Sequence, residues 1–160
     1  MNSNSAILVK AALLAGIVGN IAISLYLSFA LPIFFRTPPL LLFQWDASNI
    51  VGGSAYRGGW NSAMLGLFFD FIVASIWGAC FVLAYTTLPF VRRMTVVSGL
   101  VFGAIVWAVM FYIVVPLGRA QHPSSEAAPL LSALVAHTLF FGLPVAIVVR
   151  KTLQEPSAAP

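Results

Sequence analysis

The stretch AMLGLFFDFIVASIWGACFVLAYTTL, Ala63 to Leu88, decides the fold class. It is apolar apart from Asp70 and a few hydroxyls. It is also longer than the roughly 20 residues an α-helix needs to cross a bilayer. Apolar and polar residues do not alternate along it, which excludes a membrane-spanning strand. Backbone groups in lipid must find partners inside the segment, and a helix provides them. Outward from this stretch lie three more of the same kind, at about residues 7–31, 95–115 and 129–149. The expected architecture is an all-α integral membrane protein of one domain over residues 1–160, a four-transmembrane-helix bundle.

Composition agrees. Of the 160 residues, 61% are hydrophobic and 8% charged, and mean hydropathy is +1.00. Soluble domains carry about a quarter charged residues. A soluble globular domain, a disordered tail and a disulfide-rich secreted module are therefore excluded. One cysteine, Cys80, allows no internal disulfide and no redox pair. It reads as a small, buried apolar residue. The net charge of +4 reads as membrane anchoring, so no nucleic-acid partner is expected. The uncharged run from Ala11 to Phe35 is too long for a signal-peptide core and reads as a retained helix.

Four spans place both termini and the second loop on one side. That side holds Lys10, Arg92, Arg93, Arg150 and Lys151, against Arg36, Arg57 and Arg119 on the other. The positive-inside rule then sets both termini in the cytoplasm. In the first outer loop, Thr37 before Pro38 and Pro39 looks like a helix start. Leu40, Phe43, Ala47 and Ile50/Val51 come after it at helical spacing, with Gln44, Ser48 and Asn49 between them. The reading is a short amphipathic interfacial helix over about residues 38–52. Gly52-Gly53 ends it, and Gly58-Gly59 leads into the second span; both pairs read as turn chemistry and not as a phosphate loop.

The polar residues inside the spans are the candidates for chemistry. Asp70 is the only acid within a span and His137 the only histidine. Ser62/Ala63, Gly66, Asp70, Ala74 and Gly78 share one stripe of the second helix. Ala12, Gly16, Asn20, Ser24 and Ser28 share one stripe of the first. Small residues let helices approach and polar ones bond across the contact, so both stripes should face inward. Asp70, His137, Asn20 and Ser24, joined by Tyr112, form the expected polar layer in the outer half. The outer-face charges are Arg36, Arg57, Arg119 and Glu126, and Arg36 or Arg119 is an alternative partner for Asp70. Asp70 and His137 admit two readings, a pair that fixes packing and a ligand or proton site open to the outside. Gly99 and Gly103 read as a helix contact within the chain, and Pro144 as a bend in the fourth helix.

No metal site is expected: there is no H-E-x-x-H and no Cys/His cluster. With one intramembrane histidine, bis-histidine haem is not expected either, and no cofactor is assigned. Neither a Ser-His-Asp order nor a pair of carboxylates can be assigned from spacing. Trp45 and Trp60 read as an outer aromatic belt, and Trp77 and Trp107 as packing residues.

Several segments carry a resemblance: Pro38-Pro39 through Phe43-Gln44, Ala47-Ser48, Gly52, Ala55-Tyr56 and Gly58-Gly59. Gly66-Leu67, Phe71, Tyr112 through Leu117, and His137 with Phe141-Gly142-Leu143-Pro144 extend it. The chain resembles a widespread family of small uncharacterised bacterial four-helix inner-membrane proteins. The resemblance implies the bacterial inner membrane, and implies histidine in relatives where this chain has Asp70. A two-histidine site is therefore not carried over, and the family supplies no activity. Function stays open among three classes. The first is a structural or interaction component of a membrane assembly, partnered by the bilayer and by copies of itself or other subunits. The second is a small-solute or proton pathway through the Asp70–His137 layer. The third is a cofactor- or lipid-binding membrane enzyme.

Overall fold

The computed structural model describes residues 3–120 and 126–154. His122 lies outside them. The described chain folds into helices α1 (Ser3–Phe35), α2 (Pro39–Val51), α3 (Gly59–Thr87), α4 (Pro89–Arg93), α5 (Thr95–Leu117) and α6 (Ala127–Gln154). A 3-10 segment, Gly52–Arg57, joins α2 to α3. Four helices, α1, α3, α5 and α6, are long and apolar enough to cross a membrane.

Their packing depends on small residues. A Cβ on Gly16 would lie 2.6 Å from Ser75 Cα, and one on Gly78 would lie 3.0 Å from Gly16 N. The small stripes of α1 and α3 therefore meet backbone to backbone, as glycine faces do in lipid. At the α5–α6 crossing a Cβ on Gly142 would lie 2.6 Å from Gly103 N, and one on Gly99 2.7 Å from Ala146 Cβ. Gly99 and Gly103 thus contact a neighbour in the same chain. The core is built from Ala11, Ala12, Ala15, Ala74, Val145 and Ala146 around Phe81. Large side chains such as Leu25, Phe29, Ile33, Phe68 and Leu83 point outward. Apolar side chains thus fill the core and also cover much of the outer surface.

Two helices carry widened turns. Met110–Val114 in α5 and Ala136–Gly142 in α6 close i to i+5 hydrogen bonds. Each precedes a proline, Pro116 or Pro144. A proline lacks the N–H for the previous turn and its ring crowds that turn's carbonyl. Widening makes room, and α6 continues through Leu143–Gln154. The irregularity at Pro144 is therefore centred on the turn before it.

The second element departs from its expected orientation. Gln44, Ala47 and Ser48 are the buried residues of α2, while Leu41, Ile50 and Val51 are exposed. An interfacial helix should turn its polar face to water; here that face packs on α3. Gly66 permits this, since a Cβ there would lie 2.9 Å from Ala47 N and collide with the Phe43 carbonyl. Gln44 Nε2 donates to the Gly59 carbonyl (3.1 Å), and Ser62 Oγ donates to the Ala55 carbonyl (2.6 Å). Gly52 and Gly59 take φ of +68° and +55°, left-handed values that side chains disfavour. The glycine pairs therefore serve turns.

Cys80 is exposed, not buried. It lies two residues past Gly78, about 200° around the helix from the packed stripe. At the opposite end from α2, Tyr85 is 3% exposed, and its hydroxyl has no partner among the described residues. An unpaired buried hydroxyl costs about 1 kcal/mol or more. Tyr85→Phe is thus expected to raise the unfolding midpoint in detergent by about that equivalent. A lowered midpoint would show that the hydroxyl is bonded.

Candidate functional site

The helices do not close completely at the end that carries α2. They leave a cavity of about 800 Å³, walled by α1, α2, α3, α5 and α6. Most of its wall is apolar, including Leu27, Leu31, Ile50, Val73 and Met110. Its polar wall gathers Asn20 and Ser24 from α1, Asp46 and Asn49 from α2, Asp70 from α3, and Ser132 and His137 from α6. Four members of the expected polar layer, Asp70, His137, Asn20 and Ser24, thus line one space.

The fifth does not. Tyr112 is 64% exposed, and its ring meets Trp107 edge to face at 5.7 Å. It sits inside the widened turn of α5, where one extra residue rotates the rest of the helix by about 100°. Extrapolation from a regular helix therefore points it to the wrong side. Arg36, Arg57, Arg119 and Glu126 are exposed and stand outside the cavity wall. Trp45 lines the cavity, and Trp60 is exposed.

Asp70 meets neither His137 nor an arginine. Its carboxyl is hydrogen-bonded to that of Asp46 on α2. Such a bond requires one proton between two acids, because two bare carboxylates have only acceptors to offer. Spacing along the chain does not reveal such a pair, since the partners stand on different elements. Removal from water pushes the Asp46 carboxyl well above its usual 3.8, and the charge and hydrogen bond of Asp70 push it further.

A carboxyl whose value is raised on folding favours the folded state least when it must ionise. Stability should be undiminished below about pH 4 and should fall as pH rises toward the raised value. Asp46→Asn removes this proton and should flatten that fall. Unfolding midpoints across this range, for the parent and the variant, test it; parallel curves would show that Asp46 ionises freely.

His137 is fixed from its own helix. Its Nδ1 lies 2.7 Å from the Ala133 carbonyl, which can only accept, so Nδ1 carries a hydrogen. In the neutral ring Nε2 is then an acceptor. The ring stands edge-on to Phe111 at 6.2 Å. Asn20 is 4% exposed, and its Nδ2 has no hydrogen-bond partner among the described residues. Buried amide donors are rarely left so. Ser132 is held by Tyr26 Oη at 3.5 Å. Among the described residues no three His, Cys, Asp or Glu side chains are grouped to hold a metal ion.

Asn49 ties α2 to the end of α5: its carbonyl accepts from Arg119 N at 3.0 Å. Asp46, Asn49 and Ser132 are the members of the polar wall absent from the layer expected from the sequence. For Asp46 and Asn49 the signal is the polar content of α2 itself, with Gln44, Asp46, Ser48 and Asn49 in 13 residues.

A family described as of unknown function, DUF6789, matches residues 7–159, and the chain belongs to that family. No curated protein and no solved structure matches it.

Proposed function

We propose that this member of a family of unknown function is a four-span inner-membrane protein of bacteria that binds a small amphipathic molecule. The cavity between its spans, at the end covered by α2, is the site. One observation carries this reading: Asn20, Ser24, Asp70, Ser132 and His137, from three of the long helices, converge on one roomy, mostly apolar space. Ligand sites combine an apolar wall with a few placed polar groups, at volumes of this order. Intramembrane ionisable groups mark solute or proton sites more often than inert packing.

The reading narrows the second of the three open classes, a small-solute or proton pathway, to the binding of a solute at the polar layer. An assembly subunit would need faces free for a partner. The glycine faces that serve such contacts in lipid are used inside this chain. The orientation comes from charge. Lys10, Arg92, Arg93, Arg150 and Lys151 are all exposed at the end opposite α2 and favour a cytoplasmic location for the termini. The cavity then opens toward the outer side.

The test is native mass spectrometry of the full chain extracted into lipid nanodiscs. A bound molecule on the order of a few hundred daltons is expected. Ser24→Phe places a ring in the cavity and should eliminate that species while the variant stays folded. A parent chain without bound molecule, or a Ser24→Phe variant loaded equally, would sink the reading.

A further inference from the structure

The chemistry of the cavity wall selects among amphipathic molecules. Among the described residues the charged or titratable groups facing the space are Asp46 on α2, Tyr56 in the segment after it, Asp70 on α3 and His137 on α6. The described lengths of α1 and α5 contribute none, and no lysine or arginine lines it. The Asp pair and the His137 Nε2 offer hydrogen-bond acceptors. A molecule that satisfies them must bring donors, and beside two acids it should bring positive charge.

Asn20 adds an independent requirement. It is 4% exposed, lines the cavity, and its amide Nδ2 has no partner among the described residues. That donor calls for an acceptor oxygen. Ala12 faces Gly78, and Gly16 faces Ala74 and Ser75. Continuing this antiparallel register by one turn sets Asn20 level with Asp70. The acceptor oxygen and the cationic nitrogen of the molecule should therefore be close neighbours.

Resting on the cavity reading above, we propose that the occupant is an amphiphilic amino alcohol. Its ammonium sits on Asp46 and Asp70, its hydroxyl oxygen on Asn20, and its binding releases the proton that the two acids share. The balance is simple. The ammonium arrives with its hydrogens, the proton between the carboxyls leaves to water, and two carboxylates remain facing one cation. No bond to carbon changes. The raised affinity of Asp46 for its proton supports the exchange, because the empty cavity then holds a proton to release. Aromatic rings of Trp45, Tyr56 and Trp77 in the same wall suit a cationic head, and the aliphatic side chains suit its tail.

The test uses the full chain in zwitterionic nanodiscs with three probes: 2-amino-1-octanol, n-octylamine and 1,2-octanediol. Binding is read by tryptophan fluorescence against empty nanodiscs, and proton release by a dye in weakly buffered solution. The amino alcohol should bind saturably and release one proton. Its affinity should rise by about tenfold per pH unit while the pair holds its proton. The diol should bind at least tenfold more weakly. Asp46→Asn and Asp70→Asn should each abolish proton release. Asn20→Leu should weaken the amino alcohol toward the level of octylamine and leave octylamine unchanged.

If the diol binds as well as the amino alcohol, or no proton appears, the cation proposal is overturned while the cavity reading stands. If Ser24→Phe leaves the binding of every probe unchanged, the cavity reading itself fails. Should the Asp variants not fold, the three-probe comparison on the parent chain still decides the matter.

Discussion

Gly142→Val should leave little folded protein. A Cβ at this position would lie 2.6 Å from Gly103 N and 2.7 Å from Gly103 Cα. Both obstacles are backbone, so no side chain can swing aside. The crossing of α5 on α6 must open, and with it the packing of Val106, Phe141 and Ala146 in the core. Overpacking of this kind costs about 3 kcal/mol or more, a large part of the whole stability of a small protein. Gly142 also ends the widened turn of Ala136–Gly142, so the carbonyl partners of that turn would shift too. The comparison variant is Leu139→Val, an exposed position on the same helix. Detergent-extracted yield and unfolding midpoint should collapse for the first and change little for the second. Equal behaviour of the two would show that the helices can separate without loss.

Gly66→Leu should act locally and almost as strongly. Here the side chain would drive into the Phe43 carbonyl and the Ala47 amide of α2. The four spans can keep their own contacts while α2 lifts away. Gln44 would lose the Gly59 carbonyl, and Asp46 would part from Asp70. Amide exchange in α2 should quicken about a hundredfold, matching a local cost near 3 kcal/mol, while α5 and α6 stay protected. Uniform quickening across the spans would mean that α2 is integral to the bundle and not a separately docked cover.

The four long helices are legible in the sequence because each is a long run almost without charge, the pattern a membrane crossing would require. The inward faces of α1 and α3 are legible for a similar reason. Ala12, Gly16 and Asn20 keep a step of four, and so do Gly66, Asp70, Ala74 and Gly78. Asp70 stands out as the one acid in a span. Its partner does not, because Asp46 belongs to a helix outside the four long runs. Periodicity locates two faces on that helix, but it does not say which one is turned toward water. In a soluble setting the apolar face would be buried; here Gln44 and Ser48 are. Tyr112 is misplaced for another reason. A repeat of 3.6 residues assumes a regular helix, and the turn over Met110–Val114 breaks that assumption where the projection is made. The Asn20 Nδ2, without a partner among the described residues, leaves no trace in spacing at all, since it depends on what the neighbouring helices fail to supply.

The reversed polarity of α2 has a consequence for the order of biogenesis. With Gln44, Trp45, Asp46, Ser48 and Asn49 within 13 residues, α2 is too short and too polar to be retained as a span when it leaves the ribosome. Gln44 and Asp46 find their partners on Gly59, Ser62 and Asp70, which are synthesised later. The segment can dock only once α3 has formed, and then folds back onto it. Chains halted before α3 emerges should therefore leave α2 open to protease, and chains halted after α3 has folded should not. The cover of the cavity is a product of assembly history, added once the wall it closes against exists.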